Sequence, residues 1–246
     1  MILYDNEEIY GESIEFYDIA SSLPSGTYVY LLEKFAKACS KKAGIVLDIG
    51  AGTGRNAIEL AKRMPDKEIV ALEPSKYMRI AFMAKLAEYP DMQNQVTVLP
   101  LSAEAYEFQE KASGVLCMGV LGHLREEERK GLWRKLAGNL DPGVPVLIEI
   151  LDERFLDIKR GTRISVSYQG HLRYETYVED MEKTDGNVWR WLLSYRVFRG
   201  EKMIRTVECP MCWTYNSVED ILKELADTGF GGCKLADNVL IVRKSN

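Results

Sequence analysis

Apolar positions along the chain fall into two regimes. Between residues 45 and 150, short apolar runs at 45–49, 69–72, 96–101, 114–118 and 144–150 alternate with stretches near 54–64, 75–88 and 125–139. In those stretches apolar residues recur at helical spacing. Short continuous runs between helices predict parallel strands, because a sheet covered on both faces needs apolar side chains in both directions. Asp141-Pro142-Gly143 is a turn signal leading into the fifth run. Ahead of the first run, residues 7–20 and 28–39 read as helices separated by Pro24-Ser25-Gly26. In the second helix, Val29, Leu31, Leu32, Phe35 and Ala36 form one apolar stripe.

After about residue 160 the period drops to two. Residues 162–168, 171–180, 188–198 and 202–209 are rich in Thr, Val, Tyr and Trp. In the third run Trp189, Trp191, Leu193, Tyr195 and Val197 share one face, and Arg190, Ser194 and Arg196 the other. Asp185-Gly186 and Arg199-Gly200 stand where hairpin turns are needed. The pattern predicts an antiparallel unit of three or four strands, expected as a flap over the carboxyl edge of the parallel sheet. Ser217-Val218-Glu219-Asp220 then opens a helix with an N-cap and an acidic first turn. That helix runs to Ala226 and stops near Gly229, and residues 233–235 and 238–243 can form a closing hairpin.

The chain has 246 residues, 46% hydrophobic and 28% charged, which suits a soluble globule with a sizeable core. Its formal net charge of -5 disfavours a polyanionic partner such as nucleic acid. Met-Ile-Leu-Tyr-Asp-Asn-Glu-Glu at the start has no basic segment leading into an apolar run, so no signal peptide is expected. No apolar stretch approaches the roughly 18–20 residues that span a bilayer. A cytoplasmic protein without a membrane partner is the expectation. The five cysteines, at positions 39, 117, 209, 212 and 233, read as free structural thiols. Cys209 and Cys212 have CxxC spacing, but no second ligand pair lies near them and the only histidines are His123 and His171, so no metal site is expected.

The densest chemistry lies at the end of the first run. Ile45, Val46, Leu47 and Ile49 stop at Gly50-Ala51-Gly52-Thr53-Gly54, and a helical pattern with Ala57, Ile58, Leu60 and Ala61 starts at once. Such a strand–turn–helix brings backbone N–H groups close to a ligand. A P-loop would continue Gly-Lys-Ser/Thr, and here Arg55-Asn56 follows. A dinucleotide site would read GxGxxG, and the third glycine comes one residue early, which suits a ligand lying flat over the turn. The second run ends at Glu73, about 20 residues beyond Gly52, where an acidic side chain accepts hydrogen bonds from ribose hydroxyls. The third run leads into Ser102-Ala103-Glu104, and the fourth, ending at Met118, into Gly119-Val120-Leu121-Gly122-His123-Leu124.

As a set, these segments resemble the class I S-adenosylmethionine-dependent methyltransferases over roughly residues 10–151, and more loosely over 217–246. Val46 to Gly54 resembles the family's glycine motif, Leu72-Glu73-Pro74-Ser75 its ribose segment, Ala103-Glu104 its adenine segment, and Met118 to Leu124 its fourth-strand segment. The resemblance implies an α/β, Rossmann-like, doubly wound and mostly parallel seven-stranded sheet with an inserted antiparallel β lid. The implied segments are an N-terminal helical cap at 1–44, the cofactor-binding core at 45–155, the lid at 156–215 and a completing helix and strands at 216–246. The implied cofactor is S-adenosyl-L-methionine, with S-adenosyl-L-homocysteine as product. Gly50, Ala51 and Gly52 would face its methionine part, Asp48 would receive its ammonium, and Arg55 would hold its carboxylate unless it is a solvated helix residue. Glu73, followed by Pro74, would bind both ribose hydroxyls. Met78 would pack on the adenine, with Ser102, Ala103 and Glu104 around it, and Met118 and Gly119 would complete the wall. The third segment departs from the family's usual Asp before an apolar residue, so Ser102 and Glu104 both stand for the adenine contact.

The lid and the opening Phe16-Tyr17-Asp18-Ile19-Ala20 resemble enzymes of the glycine N-methyltransferase and amino-sugar N-methyltransferase type, in which a segment like that of Tyr17 closes over the cofactor. The lid's aromatics, Tyr168, Tyr174, Tyr177, Trp189, Trp191, Tyr195, Trp213 and Tyr215, would either form its own core or line a pocket for a planar or cationic acceptor. His123, at the mouth of the fourth strand, is a candidate general base, or else a residue capping the next helix. Glu149 and Asp152, at the end of the fifth strand, are rival bases or amine-binding carboxylates, and His171 is a weaker candidate. The expected function is methyl transfer to a nitrogen or oxygen of a small molecule. RNA or protein methylation, and a non-catalytic cofactor-binding protein, are the alternatives. Homodimerisation is allowed.

Overall fold

The computed structural model describes residues 10–20 and 26–245. In chain order they form α1 (Ile14–Ala20), α2 (Gly26–Cys39), β1 (Ile45–Ile49), α3 (Arg55–Arg63), β2 (Ile69–Leu72), α4 (Lys76–Leu86), β3 (Val96–Leu99), β4 (Ala112–Cys117), α5 (Glu126–Asn139) and β5 (Pro145–Glu149). There follow β6 (Thr162–Gln169), β7 (Leu172–Lys183), β8 (Val188–Arg199), β9 (Lys202–Thr214), α6 (Val218–Asp227), β10 (Phe230–Ala236) and β11 (Val239–Lys244). The described residues divide into two compact units, 10–20 with 153–215, and 26–152 with 216–245. The stretch 1–44 is therefore shared between them, and residues 7–9 of the first expected helix lie outside the described residues.

The larger unit is a seven-stranded sheet in the order β10-β11-β5-β4-β1-β2-β3. β1 to β5 pair in parallel, and β11 runs antiparallel to both β5 and β10. The alternation of side chains along a strand explains the continuous apolar runs. Ile45, Leu47 and Ile49 enter one core with Trp133 and Leu136 of α5 and Ile221 and Leu225 of α6. Val46 enters another, with Leu31, Leu32 and Phe35 of α2, Leu60 of α3 and Phe82 of α4. From β1 the chain steps outward through β2 and β3, then returns to the far side of β1 as β4. The carboxyl ends of β1 and β4 thus flank the reversal point, where open α/β sheets bind their ligands. Ser217 caps α6 as its sequence predicts, accepting the Asp220 N–H at 3.1 Å. The third strand is shorter than expected. Its last rung is the Glu73 N–H on Leu99 O at 3.1 Å, and the Glu73 C=O that would carry the ladder on accepts from Arg79 at 2.8 Å instead, so Ser102-Ala103-Glu104 lie beyond the strand.

The smaller unit holds the antiparallel sheet β6-β7-β8-β9, four strands in sequential order. On one face Trp191, Leu193, Tyr195 and Val197 are buried. Phe16 of α1 stacks on Tyr195 with ring centroids 4.9 Å apart and meets Tyr174 at 6.2 Å. The other face is ionic: Glu175 accepts from Arg163 at 2.8 Å, Arg173 at 2.9 Å and the Tyr177 hydroxyl at 2.6 Å. Of the lid aromatics, Tyr174, Tyr177, Trp191 and Tyr195 take part in this unit's own packing, Trp191 against Phe155 and Tyr177 beneath the Arg196 guanidinium. β9 runs five residues further than its sequence pattern suggests, carrying Pro210 on an edge strand where a missing N–H is tolerated. The CxxC pair therefore sits inside a regular strand. Cys209 pairs with Leu193 and Cys212 with Arg190, and the odd spacing sends their side chains to opposite faces. They cannot hold one metal or bridge to each other.

Candidate functional site

The glycine turn after β1 is left-handed at three points, with φ of 64° at Gly50, 58° at Gly52 and 79° at Gly54. Two of them are glycine because of packing as well: an added Cβ would lie 2.5 Å from Val120 Cγ2 at Gly50 and 2.0 Å from Phe82 Cδ2 at Gly54. Gly52 differs, since a Cβ there would meet nothing within 4 Å. Its N–H instead donates to Glu73 Oε2 at 2.7 Å, while the Ser75 N–H donates to Oε1 at 2.8 Å. These two backbone donors fix the Glu73 carboxylate edge-on at the end of β2 and leave further lone pairs on each oxygen. Burial raises its pKa above the ordinary carboxylate value, against the pull of those two N–H groups.

Asp48 is the one charged residue within β1. It is 1% exposed, and its Oδ2 is buried without a hydrogen-bond partner. Desolvation, with the Glu73 charge adding to it, pushes its pKa up to about 8. A buried carboxylate oxygen without a donor is costly and rare, and the defect disappears if a cationic donor is bound there. A third carboxylate, Glu149 at the end of β5, accepts the Gly119 N–H and is likewise raised by burial. Gly119 has φ 67° and, like Gly52, open space where a Cβ would be. Cys117, between Asp48 and Glu149, has its thiol pushed up to about 12 by burial and those two charges, so it stays protonated and unreactive. His123 ends the short turn Leu121–His123, and desolvation pushes its pKa down to about 4. It is neutral at neutral pH and a weaker base than its sequence position suggests.

Sequence reasoning overlooked two residues here. The Tyr28 hydroxyl donates to Asn56 Oδ1, and its pKa is raised by burial and by the charges of Glu149 and Asp48. Tyr28 sits in the first turn of α2 just before the apolar stripe, and Asn56 directly after Arg55, so neither carries a periodic signal. The other expected residues are distributed as follows. Ala51 is buried, with its N–H on Leu72 O at 2.9 Å. Arg55 opens α3 and its charge is felt by Tyr28. Met78 is buried in the first turn of α4, Pro74 is exposed, and Met118 is buried among the side chains packed under α2, α3 and α4. Ser102 and Glu104 are exposed, and the Ser102 hydroxyl accepts the Ala105 N–H at 3.2 Å to close its own turn. Ala103 packs at the margin of the α5 core, and Asp152 is buried just past β5. Tyr17 belongs to the smaller unit, where its ring meets Tyr10 edge-on at 6.0 Å, and His171 is exposed in the turn between β6 and β7.

Three carboxylates, Asp48, Glu73 and Glu149, therefore line the carboxyl edge of a single sheet. Such an edge repels phosphate and welcomes a ligand with cationic and hydroxyl donors, which adds to the missing lysine against a P-loop.

Residues 46–143 match the family described as "Methyltransferase domain". None of the curated proteins matches the sequence. Among solved structures, the CcbJ methyltransferase from Streptomyces caelestis is 18% identical with a TM-score of 0.74, covering 98% of this chain and 99% of that one. CalS10, an amino pentose methyltransferase from Micromonospora echinaspora involved in calicheamicin biosynthesis and solved with bound SAM, is 14% identical with a TM-score of 0.72, covering 100% and 99%. The sugar N-methyltransferase KedS8 from a Streptoalloteichus species is 17% identical with a TM-score of 0.71, covering 100% and 97%.

Proposed function

We propose that this chain is an S-adenosylmethionine-dependent methyltransferase and that it methylates an amino group on a small, sugar-like molecule. The observation that carries the cofactor side is the orphaned, buried Asp48 Oδ2 beside the open glycine turn. Those residues suit this cofactor. Asp48 would receive its ammonium, and Glu73, already oriented by Gly52 and Ser75, would accept from both ribose hydroxyls. Arg55, at the first turn of α3, would hold the carboxylate, and Met78 would face the base. The bound cofactor supplies an electrophilic methyl group on a positively charged sulfur. The acidic edge favours that cation over its neutral thioether product, which helps the product leave.

Two considerations support an amine on a small molecule. The similar structures include an amino pentose methyltransferase and a sugar N-methyltransferase, and the net charge of -5 weighs against a nucleic-acid acceptor. Isothermal calorimetry tests the cofactor side. Wild-type protein should bind S-adenosylmethionine and S-adenosylhomocysteine, and Glu73→Ala should weaken binding by about 2–3 kcal/mol, the scale of charge-assisted hydrogen bonds. No binding by the wild type would sink the reading, and unchanged affinity in the variant would displace the ribose from Glu73. Turnover of amino sugars but not of RNA or protein tests the acceptor side.

A further inference from the structure

We infer that Glu149, at the carboxyl end of β5, binds the acceptor as an ammonium ion and takes its proton, which makes the substrate a protonated amine rather than an alcohol. This rests on the cofactor reading above, but its evidence is separate. Asp48 and Glu73 stand at the ends of β1 and β2, whereas Glu149 stands on the other side of the reversal point, with β4 between it and β1. At about 4.8 Å per strand, Glu149 is roughly 10 Å from the β1 end and roughly 14 Å from the β2 end. A ligand held by Asp48 and Glu73 thus leaves Glu149 for a second ligand. The strand between them ends at Gly119, where no atom lies within 4 Å of an added Cβ, so the floor in front of the carboxylate is open. The same residue's N–H holds the Glu149 carboxylate in place.

Tyr28 of α2 feels the charges of Glu149, Asp48 and Arg55, and the Cys117 thiol of β4 feels those of Asp48 and Glu149. Burial keeps Tyr28 and Cys117 protonated, and Glu149 itself feels burial and the Gly119 N–H but, among the described residues, no cationic side chain. An arriving cation supplies that partner. His123, the other candidate base, is held neutral and weakly basic by desolvation. Chemistry then separates the acceptors. An ammonium group has no lone pair for methylation. When its N–H bond breaks, the proton forms an O–H bond on the Glu149 carboxylate and the electron pair stays on nitrogen. That pair makes the new N–C bond while the C–S pair remains on sulfur, and the product amine carries the positive charge. A neutral alcohol brings no positive charge to pair with the buried carboxylate and is far too weak an acid to lose its proton to it before attack.

The test uses the full chain with bound S-adenosylhomocysteine and carboxyl-13C glutamate, followed by NMR. The probes are methyl glycosides of a 4-amino pentose and a 3-amino hexose, each beside its hydroxyl counterpart. Both amines should shift the Glu149 resonance, and the hydroxyl sugars should leave it in place. Glu149→Gln should weaken amine binding by about tenfold or more, the scale of one lost charge-assisted hydrogen bond. Its S-adenosylhomocysteine affinity should be unchanged. In turnover of the amines, kcat/KM should fall about 100-fold, the lower range for a lost proton acceptor. The residual rate should climb with pH in step with the amine's own deprotonation. Equal shifts with amines and alcohols, or none with either amine, overturn the inference. So does a variant that loses S-adenosylhomocysteine binding, which would assign Glu149 to the cofactor. Failure of the wild type to bind S-adenosylhomocysteine at all overturns the cofactor reading itself.

Discussion

Asp48 shows most directly how a buried carboxyl without a full set of donors costs stability at a single residue. Its carboxyl is buried in a parallel strand, one oxygen has no donor, and its pKa is raised to about 8. A neutral amide of the same shape removes the charge that desolvation penalises. Asp48→Asn should therefore raise the melting temperature of the ligand-free protein at pH 8 and weaken S-adenosylmethionine binding, a stability–activity trade. Scanning calorimetry and titration on the same preparation check both halves, and a variant that melts lower and binds normally would refute the argument. Asp48 and Glu73 were legible as candidate ligand residues because they hold fixed offsets around the glycine turn. The weak basicity of His123 was not legible, because a pKa depends on neighbours that spacing does not reveal.

At the scale of the element, the β1–turn–α3 unit contains glycines of two kinds. Gly54 is closed in by the Phe82 ring at 2.0 Å from a Cβ position, whereas Gly52 faces open space. Both have positive φ, so alanine strains each backbone by about 1–2 kcal/mol. Gly54→Ala adds a clash with a fully buried ring and should cost about 1–3 kcal/mol more, the range for overpacking. Gly52→Ala should cost only the backbone strain and lose cofactor affinity more than stability. Urea midpoints and calorimetric affinities separate the two, and equal destabilisation by both would contradict the geometry. The turn and the strands around it were readable in one dimension, since periodicity and glycine spacing are local. The end of β3 was misjudged because an apolar leucine past Pro100 looks like strand, while the Glu73 carbonyl that would continue the ladder is taken by Arg79 from α4. The CxxC pair seemed to end a β-rich stretch until the register of β9 on β8 put its thiols on opposite faces.

For the whole molecule, the three carboxylates of the sheet edge set a pH dependence. Asp48, Glu73 and Glu149 all have folded-state pKa values raised by burial. The native state therefore holds protons that the unfolded chain has lost, and their contribution to stability, full below the ordinary carboxylate range, is lost as pH rises toward 8. Glu175, Glu179 and Glu224 are lowered by their cationic and hydroxyl partners and act in the opposite sense, losing stability as pH falls. Up to about pH 6.5, His123, lowered to about 4 by desolvation, also favours the fold as pH rises, so the ligand-free protein should melt at lower temperature as pH is raised from about 6.5 to 8, and Asp48→Asn should flatten the slope. A melting temperature that rises over that window would show that these carboxylates ionise normally. From the sequence by itself came the alternation of strands and helices, the added antiparallel sheet, the glycine turn and its acidic partner Glu73, since each is written in neighbouring residues or a fixed spacing. Only the tertiary structure decided that Tyr28 comes within reach of the Asp48 and Glu149 charges, that Asp48 has an oxygen without a donor, and that His123 is neutral. Desolvation and unpaired charge are sums over atoms brought together from distant parts of the chain, and no local pattern contains them.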